Sequence, residues 1–92
     1  VLNVPNPMRT NTFFTYNLVQ SPDEIMIKIY TVTGRLVRTI LDASARRHYN
    51  ETFWDGRDEN GVRLANGTYF YRIISETENG RLKKTGKLAI LR

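Results

Sequence analysis

Apolar and polar residues alternate with a period of two along most of this 92-residue chain. Phe14, Tyr16 and Leu18 fall on one face of such a pattern, and Phe13, Thr15 and Asn17 on the other. Ile25, Ile27 and Ile29 alternate with Met26, Lys28 and Tyr30, and Tyr69, Tyr71 and Ile73 alternate with Phe70, Arg72 and Ile74. Successive side chains of an extended backbone point to opposite faces, so this spacing predicts half-buried strands. The strands expected are Val1–Val4, Thr12–Leu18, Ile25–Tyr30, Arg35–Leu41, Tyr49–Trp54, Val62–Leu64, Thr68–Glu76 and Arg81–Leu91. Pro5 and Pro7 suit an edge strand followed by a bend, since proline donates no ladder hydrogen bond.

Turn signals separate these segments. Ser21-Pro22-Asp23 reads as a turn, Gly34 as a tight turn, and Asn79-Gly80 as a hairpin. Asp55-Gly56, Asn60-Gly61 and Asn66-Gly67 follow in quick succession after Trp54. Asn and Asp tolerate positive φ and Gly adopts it freely, so the three pairs suit tight hairpins. Asp42 to Arg47 reads as a connection with room for one helical turn.

Several short strands with one apolar face each, divided by frequent turns, predict an all-β fold. The architecture expected is an immunoglobulin-like antiparallel β-sandwich of about seven strands. Its core is expected to hold Phe14, Tyr16, Leu18, Ile25, Ile27, Ile29, Val37, Trp54, Tyr69, Tyr71, Ile73, Leu88 and Ile90, with Leu36 and Ile40 as further candidates. Burying one such large side chain contributes roughly 1.5–3 kcal/mol, so losing Trp54 or Ile27 is expected to be felt strongly.

Composition narrows the function classes. Residues 1–92 suffice for a single domain with one core and little surplus for an enzymatic cleft. The chain contains no Cys, so packing alone holds it, without disulfides or thiolate metal ligands. No apolar run approaches the roughly 18 residues of a membrane-spanning helix. The start at Val1, without Met or an apolar leader, is read as a domain taken from a longer protein. Fourteen Lys and Arg against nine Asp and Glu leave a net charge of +5. These cations are spread out, with Arg35, Arg38, Arg46, Arg47, Arg81, Lys83, Lys84, Lys87 and Arg92 among them. No helix, finger or RNA-binding motif accompanies them, so no nucleic-acid partner is expected. Charges on solvent faces and sheet edges explain them better.

Catalysis finds no support. His48 stands alone beside Arg46 and Arg47, and Ser21, Ser44 and Ser75 lack the context of an activated nucleophile. Glu76 and Glu78 precede a hairpin turn and read as solvated. Asp55, Asp58 and Asn60 offer oxygens, but their spacing misses the EF-hand loop and fits turn and capping roles. Lys28 is expected to point away from the core, which argues against a buried isopeptide crosslink. The chain is therefore expected to be no enzyme, with no cofactor and no metal.

An ordered set of motifs does resemble a known family. It runs through Asn6-Pro7, Thr12-x-Phe14-x-Tyr16-x-Leu18 and Ile27-x-Ile29-Tyr30-x-x-x-Gly34-Arg35-x-Val37. It continues through Trp54-Asp55-Gly56-x-Asp58-x-x-Gly61, Gly67-x-Tyr69-x-Tyr71 and a last strand carrying Lys87. This order is similar to the FlgD-type immunoglobulin-like domain and to the related C-terminal sorting domain of the type IX secretion system. The chain departs from the pattern at Arg9-Thr10, where the family has a second Asn-Pro, and at Thr31, where it has Asp.

The sorting branch implies a domain at the end of exported cargo. Such a domain is recognised by an outer-membrane translocon or shuttle component and removed by a sortase-like peptidase as the cargo reaches the cell surface. The ending Lys87-Leu88-Ala89-Ile90-Leu91-Arg92 resembles the basic-apolar-basic ending of sorting domains. The FlgD branch implies a structural or adhesive accessory module, as in a flagellar hook cap, but this chain lacks the second small domain inserted there. The resemblance points to Gly67, Tyr69, Lys87 and Arg92 as recognition residues. Each has a plain architectural role too: Gly67 as a turn glycine, Tyr69 as a core tyrosine, Lys87 and Arg92 as edge-strand charges.

Overall fold

The computed structural model describes all residues except 1, 5, 19–23, 43–47 and 78–79, and except the side chains at 2–4, 18, 24, 48, 77 and 82. The strands are β1 (Leu2–Val4), β2 (Thr12–Leu18), β3 (Glu24–Thr31), β4 (Leu36–Asp42), β5 (His48–Trp54), β6 (Gly67–Thr77) and β7 (Gly80–Ile90). They form two sheets, one ordered β1-β2-β5 and the other β4-β3-β6-β7, and every pairing within them is antiparallel. No helix occurs among the described residues. The immunoglobulin-like β-sandwich expected from the alternation is the fold observed.

The facing surfaces of the sheets make the core. Phe14 and Tyr16 from β2 and Trp54 from β5 meet Ile25, Ile27, Ile29, Val37, Tyr69, Tyr71, Ile73, Leu88 and Ile90 from the larger sheet. Phe14 is central, with ring centroids 5.0 Å from Tyr71 and 6.3 Å from Trp54. Leu18 lies in β2, but its side chain is outside the described set. Met8 and Thr12 are fully buried and were not in the expected core. Leu36, expected inside, is 47% exposed, whereas Ile40 packs partly buried on the core. A register shift between Ile29 and Tyr30 explains the difference. Tyr30 faces outward and is paired with Leu36, while Ile27 faces inward and is paired with Ile40.

The loop after Trp54 departs from the expected hairpins. Val62–Leu64 is no strand; an isolated bridge joins Arg57 to Arg63. The Asp58 carboxylate accepts from the Asn60 and Val62 amides at 2.9 and 3.0 Å, which folds this segment into a turn. Gly56 has φ +75°, and a Cβ there would lie 2.7 Å from the Thr10 carbonyl oxygen, so side chains are excluded on both counts. The expected turn at Ser21-Pro22-Asp23, the stretch from residue 43 to Arg47 and Asn79 lie outside the described residues.

Two aspects of the packing have measurable consequences. Gly86 of β7 sits opposite Tyr71, and a Cβ at 86 would approach the Tyr71 hydroxyl and ring to 2.4–2.8 Å. Gly86→Ala must displace a buried ring and is expected to cost about 1–3 kcal/mol in urea unfolding. Burial pushes the phenols of Tyr16 and Tyr71 above their ordinary value of 10.0; the Asp42 carboxylate adds to the rise at Tyr16, and the Thr52 hydroxyl opposes it. The folded state thus holds these protons more tightly than the unfolded chain. That stabilisation is complete below about pH 10 and is lost as pH rises through the folded values. Replacing both residues by Phe should flatten the alkaline fall in Tm measured by circular dichroism.

Candidate functional site

The expected recognition residues lie on or just beyond β6 and β7, Gly67 and Tyr69 on β6, Lys87 on β7 and Arg92 after it, and they fall into two environments. Tyr69 is buried opposite Leu88, and its hydroxyl donates to the Ala65 carbonyl at 2.7 Å. Arg92 closes on the same loop: its guanidinium donates to the Leu64 carbonyl, and its amide donates to the Asn66 side chain at 3.1 Å. Gly67, at φ +151°, starts β6 directly after that loop. Gly67, Tyr69 and Arg92 therefore converge on residues 64–67 and fix where β6 begins. A charge-assisted hydrogen bond, not a free cation, is the role the structure gives Arg92.

Lys87 stands apart from them. It projects from the outer face of the sheet, in one cross-strand row with Phe70 and Tyr30. Arg72 lies over the Tyr30 ring at 5.9 Å, and Tyr30, Thr31, Val32, Phe70, Arg72 and Thr85 line a surface hollow of about 290 Å³. Farther along β7, Arg81 pairs with Glu76 beside a smaller hollow of about 130 Å³ that Met26, Lys28 and Ile74 also line. Lys28 thus belongs to the outer face, as the alternation predicts.

The edges of the larger sheet differ. On β4, the Val37 carbonyl accepts from the Glu59 amide at 3.1 Å, and the Glu59 carboxylate accepts from the Thr39 amide at 2.5 Å. The loop after Trp54 therefore caps that edge at Val37 and Thr39. On β7, the closing bonds among the described residues fall in the C-terminal half. Met8 bridges to Ile90 in parallel, donating to the Ala89 carbonyl at 2.8 Å and accepting from the Leu91 amide at 2.9 Å. The Asn6 side chain accepts from the Ala89 amide at 3.1 Å and donates to the Lys87 carbonyl at 3.4 Å. This Asn6–Met8 strap is the part of the edge that sequence reading missed. Its one visible signal is Asn6-Pro7, a proline-bearing bend beside the first strand.

No three His, Cys, Asp or Glu side chains group as metal ligands among the described residues. The oxygens of Asp55 and Asp58 are engaged locally: Asp55 accepts from the Arg57 amide and from Arg38 at 3.2 Å, and Asp58 accepts the two turn amides.

Residues 8–79 match the FlgD Ig-like domain. The chain belongs to this family. Among solved structures, it aligns with dimeric latent PorU from Porphyromonas gingivalis at TM-score 0.83 and 28% identity, covering 99% of this chain and 9% of PorU. It aligns with PorZ of the same organism, an essential bacterial surface component of the type-IX secretion system, at TM-score 0.62 and 25% identity, covering 100% of this chain and 11% of PorZ. FlgD from P. aeruginosa shares the fold at TM-score 0.74 and 20% identity, with 86% of this chain and 60% of that one covered. No curated protein sequence matches the chain. This FlgD-like domain thus spans about a tenth of the two Porphyromonas proteins it resembles.

The two environments predict different mutational responses. Lys87→Ala should change stability by less than about 0.5 kcal/mol, as expected for an exposed side chain with no buried partner. Arg92→Ala removes the contact to the Leu64 carbonyl and should cost up to about 1 kcal/mol. Urea denaturation of the two single variants measures the difference.

Proposed function

We propose that this domain is a C-terminal sorting signal that directs an upstream cargo through the type IX secretion system to the bacterial cell surface. In this reading it is exported through the periplasm and acts by binding. It offers a folded surface to an outer-membrane translocon or shuttle component, and a sortase-like peptidase handles it once the cargo arrives. It performs no catalysis itself and needs no cofactor or metal. The observation that carries the reading is the end-to-end alignment with PorU and PorZ, the latter a surface component of that system. An adhesive or hook-cap-like accessory role is the competing interpretation; the FlgD alignments support it at the level of fold alone.

Export of a fusion tests the proposal. A fluorescent reporter placed ahead of the domain, in a host with type IX machinery, should reach the surface. Without the domain it should remain inside. Replacing the domain by the immunoglobulin-like part of FlgD keeps the architecture and should also abolish surface display. Display that persists without the domain would sink the sorting reading, and display with the FlgD replacement would reduce it to a generic fold requirement.

A further inference from the structure

The open half of β7 has a defined chemistry. The groups engaged by the Asn6–Met8 strap belong to Lys87, Ala89 and Leu91, alternate residues whose main-chain groups point away from β6. The regular β6–β7 register carries the same direction back to Thr85, Lys83 and Arg81. Among the described residues, no hydrogen bond reaches the outward amide and carbonyl groups of these three. The unpaired stretch is thus a short strand template that ends where the strap begins.

Its side chains are of one sign. Arg81, Lys83 and Lys87 project from the outer face, and Lys84, opposite Ile73, projects from the other. All four residues are exposed. Glu76 engages Arg81, while among the described residues no carboxylate pairs with Lys83, Lys84 or Lys87. A second copy pairing along this edge would set like charges against one another, which disfavours self-association. Lysines on an edge strand also discourage indiscriminate pairing. An extended segment carrying carboxylates at alternate positions reverses both effects.

We propose that the outward edge of β7 from Arg81 to Thr85 is a docking site for an extended acidic segment of another protein, which adds to the larger sheet as a fifth strand. Main-chain bonds to the Arg81, Lys83 and Thr85 edge hold the segment, and carboxylates on the outer face, towards Lys83 and Lys87, select it. The site deepens the sorting reading by naming the partner chemistry, and it lies ahead of the Lys87–Arg92 ending. It rests on the domain acting as a recognition module. The test is made in solution, so its failure would leave the export result intact, and failed export would leave this result intact.

The isolated domain, capped alternating Glu/Val and Lys/Val peptides, and amide-resolved NMR supply the experiment. The Glu/Val peptide should bind at least about tenfold more tightly at low salt, with the preference shrinking as ionic strength rises. It should slow hydrogen exchange at the Arg81, Lys83 and Thr85 amides. Thr85→Pro removes one outward donor while sparing the ladder to β6, and should weaken binding about tenfold or more. Should that variant fail to fold, Lys83→Glu with Lys87→Glu serves instead and should reverse the peptide preference. Equal binding of both peptides, protection confined to β5, or protection that tracks dimer formation would each overturn the proposal.

Discussion

Trp54 cannot be buried without an acceptor for its indole N–H, and that requirement organises one whole side of the sandwich. The side chain is 1% exposed, and its nitrogen donates to the Arg57 carbonyl at 3.0 Å. An unmatched buried donor would cost about 1–3 kcal/mol, so the chain after Trp54 has to curl back over the ring. Asp55 and Gly56 make the curl, and Arg38 tightens it by donating to the Arg57 carbonyl at 3.0 Å and to Asp55 at 3.2 Å. The returning loop sets Glu59 against β4. Satisfying one indole therefore also caps the β4 edge at Val37 and Thr39.

A second polar device ties the sheets together near the same side. The Tyr16 hydroxyl meets the Thr52 hydroxyl at 2.8 Å, and the Asp42 carboxylate accepts from Thr52 at 2.9 Å and from Tyr16 at 3.3 Å. Asp42 comes from β4 and its two partners from β2 and β5, so the cluster crosses the sandwich where apolar packing gives way to solvent. Low local polarity strengthens such a network only while every member is satisfied. No buried side-chain nitrogen or oxygen lacks a partner among the described residues.

Local periodicity made most of the fold legible. A two-residue alternation fixes which side of a strand is apolar, and Phe14, Ile27 and Tyr71 are buried where it places them. Reading failed where the outcome depended on distant contacts. Met8 lies between Pro7 and Arg9 with no alternation around it, and its burial follows from a bridge to Ile90. Leu36 and Val37 are both apolar neighbours, and only the irregular pairing near Tyr30 decides which turns inward. Val62 and Leu64 alternate like a strand, but the Asp58 carboxylate takes the Val62 amide. The candidate site was legible as a list of residues and not as an arrangement. Tyr69 and Arg92 serve the loop at 64–67, whereas Lys87 belongs to the opposite, solvent face.

The Asn6–Met8 strap also sets how the domain carries load. Met8 and Ile90 lie side by side with their chains running the same way. Traction on the segment entering at Asn6 and on the segment leaving after Leu91 pulls these neighbours in opposite directions along their common axis. The bonds from Met8 to Ala89 and from Leu91 to Met8, and those of Asn6, are then loaded in shear and share the force instead of peeling apart singly. A module strung between a cargo and an anchor would meet tension through the contact best oriented to resist it.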